Sequence, residues 1–398
     1  MSGGTSCGHD AAFLQGAVLS LLEETTELPP SELTRVVKVA GEVLGAEHAR
    51  VLVADYALVS LQQLGEDGPT GDAQSIEGTL AGHAFARDEV VVSESQPTLV
   101  WVPLSEGSER LGVLELSYDS WSDDLRAALA PVVRVLVLVL LSKRRYTDAV
   151  LRARRHEPLS IAAELQWDLL PPLTCSTDRV SVSGILEPAY SIGGDSFDYA
   201  LNWETAEFAI VDAIGHGMSA VMMSVAAINS LRNARRESLD LNTAYENTGE
   251  VLRTQFGPEC FVTAQLGSLA LASGELTWLN AGHPLPLLVR DGSYTGELTC
   301  RPSKPMGLGG SVAEIAMVTL QRGDRVLFYT DGVTDTQAPG GERFGIPRLA
   351  DFLVRATLDG VSPAETVRRL CASIMRHNGD DLSDDATLLL IEYHGTPD

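Results

Sequence analysis

Apolar residues recur along the chain at two different periods. From Ala11 they fall three and four positions apart (Phe13, Leu14, Ala17, Val18, Leu21, Leu22), and again at Leu33, Val36, Val37, Ala40, Val43 and Leu44. This spacing predicts two amphipathic helices separated by the break at Pro29-Pro30. Short runs follow, ARVLVAD, ALVSLQQ, EVVVSES, TLVWVPL and LGVLELSY, punctuated by Gly, Pro and Asp. They predict the strands of an antiparallel sheet. Between Asp123 and Asp148 the pattern turns helical again, but apolar residues occupy nearly every side, Val135 to Leu141 being continuous. Such a helix must be covered, by its own domain or by a second copy of the chain. A further helix is predicted from near Pro158 to Pro171-Pro172, with Ile161, Leu165 and Leu169 one turn apart.

From Arg179 onward strand-like segments dominate: VSVSGILEPAY, DYALNW, EFAIVDAI, FVTAQLGSLA, ELTWLNA and the strand, Gly-His-Pro turn and strand of NAGHPLPLLV. Helical patterns, such as SAVMMSVAAINSLRNARR, IPRLADFLVRA and AETVRRLCASIMRH, interleave without βαβ regularity. An α+β class with layered antiparallel sheets is expected.

Several of these strands end in carboxylates. The run Phe208 to Gly217, FAIVDAIGHG, delivers Asp212 to a glycine-rich loop, and SIGGDSFDYA puts Asp195 behind two glycines. RVLFYTDGVTD brings a strand to Asp331, and DDATLLLIEY opens on Asp384 and Asp385. A buried carboxylate is costly unless a cation receives it. Hard oxygen donors without nearby His or Cys suit magnesium or manganese rather than zinc, so these residues suggest an acidic, two-metal hydrolytic site.

Taken in order, GGDSFDYA, VDAIGHG, LNAGHPLPLL, GDRVLFYTDGVTD and DDATLLLIE resemble the signature blocks of the SpoIIE-like branch of the metal-dependent protein phosphatases, the PPM family. The resemblance implies an α-β-β-α sandwich over residues 179–398 that hydrolyses phosphoserine or phosphothreonine with two Mn2+ or Mg2+ ions. It implies that Asp195, Asp212 and the carbonyl of Ala213 bind one metal, and that Asp331 and Asp384 bind the other with Asp212 as the bridge. Asp385 is the adjacent candidate ligand, and Asp198 is expected behind the ligands. Asp212 and His216, the histidine nearest to the ligands, are the catalytic candidates; His283 is expected to shape its loop. The substrate implied is a phosphorylated regulatory protein such as an anti-sigma-factor antagonist. GGDSF alone is similar to the diguanylate cyclase signature, but Ser196 stands where that enzyme needs Glu or Asp. The alternative from another class is a catalytically silent scaffold of the same fold.

Upstream, SIEGTLAGHAF followed by LVWVPLSEGSERLGVLEL resembles a GAF domain, which implies a sensor module over residues 11–148. Its ligand is not read from the sequence; His83 is the histidine expected to face any pocket, and Trp101 is expected in the core. Residues 1–10 are expected to be a disordered tail and 149–178 a helical linker. The basic residues from Lys143 to Arg155 read as a solvated face. Because such greasy helices join GAF dimers, a homodimer is expected.

Composition narrows the partners. Net charge is -25, from 54 acidic and 29 basic residues, which disfavours nucleic acid and favours proteins or small molecules. The five scattered cysteines lack C-x-x-C spacing and fit a reducing cytoplasm. MSGGTSCGHD has no signal-peptide pattern, and Val135 to Leu141 is much shorter than the roughly 20 residues a bilayer requires. A cytoplasmic protein without membrane insertion is therefore expected.

Overall fold

Two separate sets of hydrophobic cores divide the chain, in the computed structural model, into units of residues 1–158 and 159–398. The structure describes residues 6–66, 68–95, 97–105, 107, 109–190, 193–309, 312–379 and 384–396. Residues 1–5 of the expected tail lie outside the described residues, and 6–10 form the first turns of a helix.

The first unit runs α1 (Ser6–Thr26), α2 (Leu33–Val43), β1 (His48–Ala54), β2 (Ser60–Leu64), β3 (Pro69–Ser75), α3 (Leu80–Arg87), β4 (Val91–Val92), β5 (Thr98–Ser105), β6 (Arg110–Tyr118), α4 (Asp123–Lys143) and α5 (Ala149–Ala153). Its sheet has the order β3-β2-β1-β6-β5-β4, with antiparallel neighbours. Alternation along β1 sends Val51 and Val53 to the face covered by α1, α2 and α4, and Leu52 and Ala54 to the face covered by α3. Phe85 and Trp101 fill the second face, and the Trp101 indole donates to Glu115 at 2.8 Å. Trp101 is thus core, whereas His83 is exposed on α3.

Helix α4 corrects the reading by length. Its window Leu125–Tyr146 is long and apolar enough to cross a membrane. Leu129, Val132, Val133, Leu136, Val137 and Leu140 are instead buried against the unit's own core, while Leu138 is exposed. The basic stretch is likewise more committed than a solvated face. Lys143 donates to the Leu28 carbonyl, Arg144 makes a two-pronged ion pair with Glu109 (2.6 and 2.7 Å), and Arg154 lies 4.4 Å over the Tyr56 ring.

The second unit contains α6 (Ile161–Leu169), β7 (Thr174–Ser176), β8 (Val180–Glu187), β9 (Asp195–Leu201), β10 (Thr205–Ala213), α7 (Met218–Arg236), α8 (Leu241–Phe256), β11 (Val262–Ala270), β12 (Glu275–Ala281), β13 (Leu287–Arg290), β14 (Ser293–Glu297), β15 (Ile315–Thr319), β16 (Arg325–Tyr329), α9 (Asp331–Asp335), α10 (Gly345–Leu358), α11 (Pro363–Asn378) and β17 (Ala386–Tyr393). One sheet has the order β15-β12-β11-β10-β9 and the other β14-β13-β16-β17-β8-β7. Between them lies a shared core of Val182, Phe197, Phe208, Ile210, Trp278, Phe328, Leu389 and Ile391, with the Phe208 and Phe328 rings 4.9 Å apart. Helices α7 and α8 cover the first sheet; α11 packs on β8 and β17 of the second. This is a helix, sheet, sheet, helix sandwich, built because both sheets bury both faces.

Helix α6 departs from its predicted face. Ile161 and Leu165 are exposed, and the buried residues are Ala162, Ala163, Gln166 and Leu169. The segment 149–178 is therefore divided, α5 lying in the first unit and α6 and β7 in the second.

Candidate active site

The period of two along β9 and β10 decides which carboxylates meet. Phe208 and Ile210 point into the inter-sheet core, so Asp212, two residues on, occupies its rim. Phe197 does the same on β9 and brings Asp195 to that rim. The antiparallel register sets Asp195 directly opposite Asp212, and Thr263 on β11 opposite Asp212 from the other side. In the facing sheet β16 stops at Tyr329, Thr330 caps α9, and Asp331 begins it; Asp384 and Asp385 precede β17. The two sheets are tied at this end by Thr330, whose hydroxyl donates to Asp195 at 2.6 Å and accepts the Thr387 amide at 2.9 Å.

Burial and mutual repulsion govern the electrostatics. Burial pushes the Asp195 carboxyl well above its usual range, with Asp212 and Asp385 adding to the shift. Asp212 is pushed up to about 7 by burial, then by Asp331, Asp384 and Asp385, while the Thr263 hydroxyl pulls the other way. Asp385 is raised to about 6 by burial, against the backbone amides that it accepts. Asp331 is also raised, by burial and then by Asp384 and Asp335. None of these shifts has an Arg or Lys among its causes. Among the described residues the cluster is thus a set of like charges without a cationic partner among the causes of its shifts, the setting in which a dication is favoured.

The backbone around these groups has been cleared for oxygen atoms. A Cβ on Gly194 would lie 2.5 Å from the Ala213 carbonyl oxygen, one on Gly193 2.4 Å from Asp385 Oδ2, and one on Gly332 1.9 Å from the Asp385 carbonyl oxygen. An all-oxygen donor set of carboxylates and one carbonyl fits magnesium or manganese by chemistry. By distance it is open: among the described residues no group of three or more His, Cys, Asp or Glu side chains forms a set that could hold a metal ion.

Each remaining candidate has a distinct setting. Asp385 is buried, and its two oxygens accept the Gly193 amide (3.0 Å) and the Asp195 amide (3.3 Å); Asp384 is exposed and accepts the Asp385 amide at 3.0 Å. Asp385 therefore clamps the glycine loop that presents Asp195. His216 is exposed between Gly215 (φ 91) and Gly217 (φ 72), directly before α7. His283 is buried. Asp198 does not stand behind the ligands: three residues after Asp195, it faces the opposite side of β9 and pairs with Arg232 (2.7 Å) and Arg235 (2.8 Å) on α7. Thr330, Thr263 and Ser224, whose hydroxyl donates to the Gly194 carbonyl, went unnoticed in the sequence. For Thr330 the available signal was a hydroxyl residue directly after the apolar run RVLFY; the run around Thr263, which also holds Gln265 and Ser268, offered none.

Residues 204–394 match the family model "Stage II sporulation protein E (SpoIIE)". The second unit belongs to the SpoIIE family of PPM-type serine/threonine phosphatases. The chain is 21% identical to phosphoserine phosphatase RsbU of Bacillus subtilis over 291 residues, covering 70% of this chain and 83% of RsbU. It is 24% identical to protein IcfG of Synechocystis over 258 residues, covering 57% of this chain but only 40% of IcfG. The fold of the SpoIIE unit is that of the SiaA-PP2C domain of Pseudomonas aeruginosa, at a TM-score of 0.50 and 22% identity over 58% of this chain and 94% of that domain.

Proposed function

We propose that the chain is a metal-dependent protein phosphatase acting on phosphoserine or phosphothreonine of a regulatory protein. The observation that carries this reading is the convergence of Asp195, Asp212, Asp331 and Asp384 on one rim of the inter-sheet core in a SpoIIE-family unit. Asp195, Asp212 and the Ala213 carbonyl would hold one Mn2+ or Mg2+, and Asp331, Asp384 and Asp212 the other. Such a pair, when bound, lowers the pKa of a water and neutralises phosphate oxygens. The protein's own part is to aim these donors. Asp385 and Thr330 fix the strand that carries Asp195, and the apolar inter-sheet core closes off the floor of the site. His216, exposed between two glycines and four residues after Asp212, is the group proposed to protonate the leaving serine oxygen.

The likeness to RsbU, a phosphoserine phosphatase, supports phosphoserine as the group hydrolysed, and the protein proposed to carry it is the anti-sigma-factor antagonist that the resemblance of the sequence motifs implies. The first unit, with strand order β3-β2-β1-β6-β5-β4 and helices on both faces, supports a GAF-like sensor controlling the phosphatase. Exposed Leu138 on α4 and exposed Leu19 and Leu22 on α1 support a homodimer through these helices. The packing of one face of α4 on its own core and the four described cysteines, all free, support a cytoplasmic location.

The test is hydrolysis of p-nitrophenyl phosphate and a phosphoserine peptide with manganese, magnesium or EDTA, by the wild type and by Asp212→Asn. Metal-dependent turnover that disappears in the variant is expected. The second reading, a silent scaffold, draws on the open spacing of the carboxylates, and a folded wild type without turnover in any metal would decide for it.

A further inference from the structure

The NAGHP turn is held by more hydrogen bonds than a turn needs. Asn280 grips the backbone of His283 from both sides, its Oδ1 accepting the His283 amide (2.8 Å) and its Nδ2 donating to the His283 carbonyl (2.9 Å). Gln265 Nε2 donates to the Pro284 carbonyl at 2.9 Å, and Pro305 packs on Gly282, which sits at φ 73. The side chain so fixed is a buried imidazole whose Nδ1 lies 2.8 Å from the Thr263 hydroxyl. Thr263 is the register partner of Asp212, so the two side chains stand side by side on one face of the sheet, and the hydroxyl is among the groups that favour the ionised Asp212 carboxyl. A rigid turn thus fixes one imidazole, the imidazole holds one hydroxyl, and that hydroxyl belongs to the cross-strand neighbour of the carboxylate at the centre of the rim.

A hydroxyl has one proton and can turn. Beside a neutral imidazole its direction is set by the tautomer: a protonated Nδ1 donates to Thr263 Oγ1 and leaves the hydroxyl proton for Asp212. The arrangement of a ligand held by an outer hydrogen-bond partner, itself fixed by the backbone, is how proteins set the orientation and affinity of metal ligands. We propose that His283 is a positioning residue for the metal site, acting through Thr263 to orient the Asp212 carboxylate. This rests on the reading of Asp212 as a metal ligand.

Manganese alone, titrated calorimetrically into the full chain, tests it. Thr263→Val keeps the shape and removes the hydroxyl; His283→Leu removes the ring nitrogens; Thr263→Ser and His283→Asn restore the hydroxyl and an amide near the Nδ1 position. Manganese affinity is expected to fall about 10- to 100-fold in Thr263→Val and His283→Leu, and to return towards wild type in Thr263→Ser and His283→Asn. Melting in EDTA, where no metal is bound, is expected to fall by a few degrees in Thr263→Val, because the buried His283 Nδ1 loses its partner, so affinities are compared per folded molecule well below that temperature. If Thr263→Val binds manganese within twofold of wild type, His283 only packs its turn and the inference fails. If the wild type binds no manganese, the phosphatase reading fails with it; equal binding by wild type and variants overturns this inference alone.

Discussion

Thr330 and Asp195 lie in different sheets, 135 residues apart, and their side chains meet at 2.6 Å. The same Thr330 hydroxyl receives the amide of Thr387, so one buried oxygen joins β9, β16 and β17. Thr330→Val would leave both Asp195 and the Thr387 amide without that partner. A loss of about 1–3 kcal/mol is expected in urea denaturation, together with weaker manganese binding. Unchanged stability would show that the two sheets are joined elsewhere.

Stability in EDTA should fall as pH rises. Asp212 and Asp385, raised to about 7 and about 6, keep their protons in the folded state at pH values where the unfolded chain has released them. Between about pH 4 and 7 the folded state binds more protons, so the slope of stability against pH is negative there and flattens above. Asp212→Asn should make that slope shallower and raise melting at pH 7.5 by about 1–2 kcal/mol equivalent. Manganese affinity should show the opposite trend and rise through the same window, because the metal competes with those protons. Melting scans and calorimetry at several pH values read both.

Gly194 has no room for a side chain, since its Cβ would meet the Ala213 carbonyl oxygen at 2.5 Å, whereas a Cβ on Gly340 meets nothing within 4 Å. Gly194→Ala should lower metal-dependent turnover at least tenfold by moving backbone oxygens. Gly340→Ala should be indistinguishable from wild type in the same assay.

Asp198→Ala removes the partner of two largely buried arginines. A cost of about 3–5 kcal/mol is expected, as for breaking a buried ion pair. Manganese affinity per folded molecule should not change, because Asp198 faces α7 and not the rim. A specific loss of metal binding would return Asp198 to the site.

His216→Ala should separate substrates by their leaving groups. Nitrophenolate departs without a proton, but a serine oxygen does not, so turnover of the phosphoserine peptide should fall about 10²-fold or more while p-nitrophenyl phosphate hydrolysis changes little. Equal effects on both substrates would remove His216 from proton transfer.

Local pattern made the strands and the carboxylates at their ends readable, because an apolar run that stops at Asp and Gly is a signal carried by adjacent residues. Asp195 and Asp212 could be named that way; their direct opposition could not, since register depends on pairing across the turn at Asn202 to Glu204. Asp198 was misread because a motif counts positions and a strand alternates faces, so the step from Asp195 to Asp198 crosses the sheet. Ile161 and Leu165 misled for the related reason that apolar spacing identifies a stripe without saying what receives it. Thr330 and Thr263 make their contacts with residues far along the chain, and no window of sequence contains both ends of such a contact.

The bonds from the Gly193 and Asp195 amides to Asp385 have a bearing on biosynthesis. They join positions 192 and 190 residues apart, and β17, which follows Asp385, lies between β8 and β16 in its sheet. While the chain is emerging from the ribosome, β8 and β16 wait as unpaired edges, and the glycine loop that carries Asp195 has no clamp. On the proposed reading the nascent polypeptide is inert until β17 is released, and its open sheet edges favour association until then. A ribosome stalled before residue 385 would hold a chain with nearly every donor translated and no assembled centre.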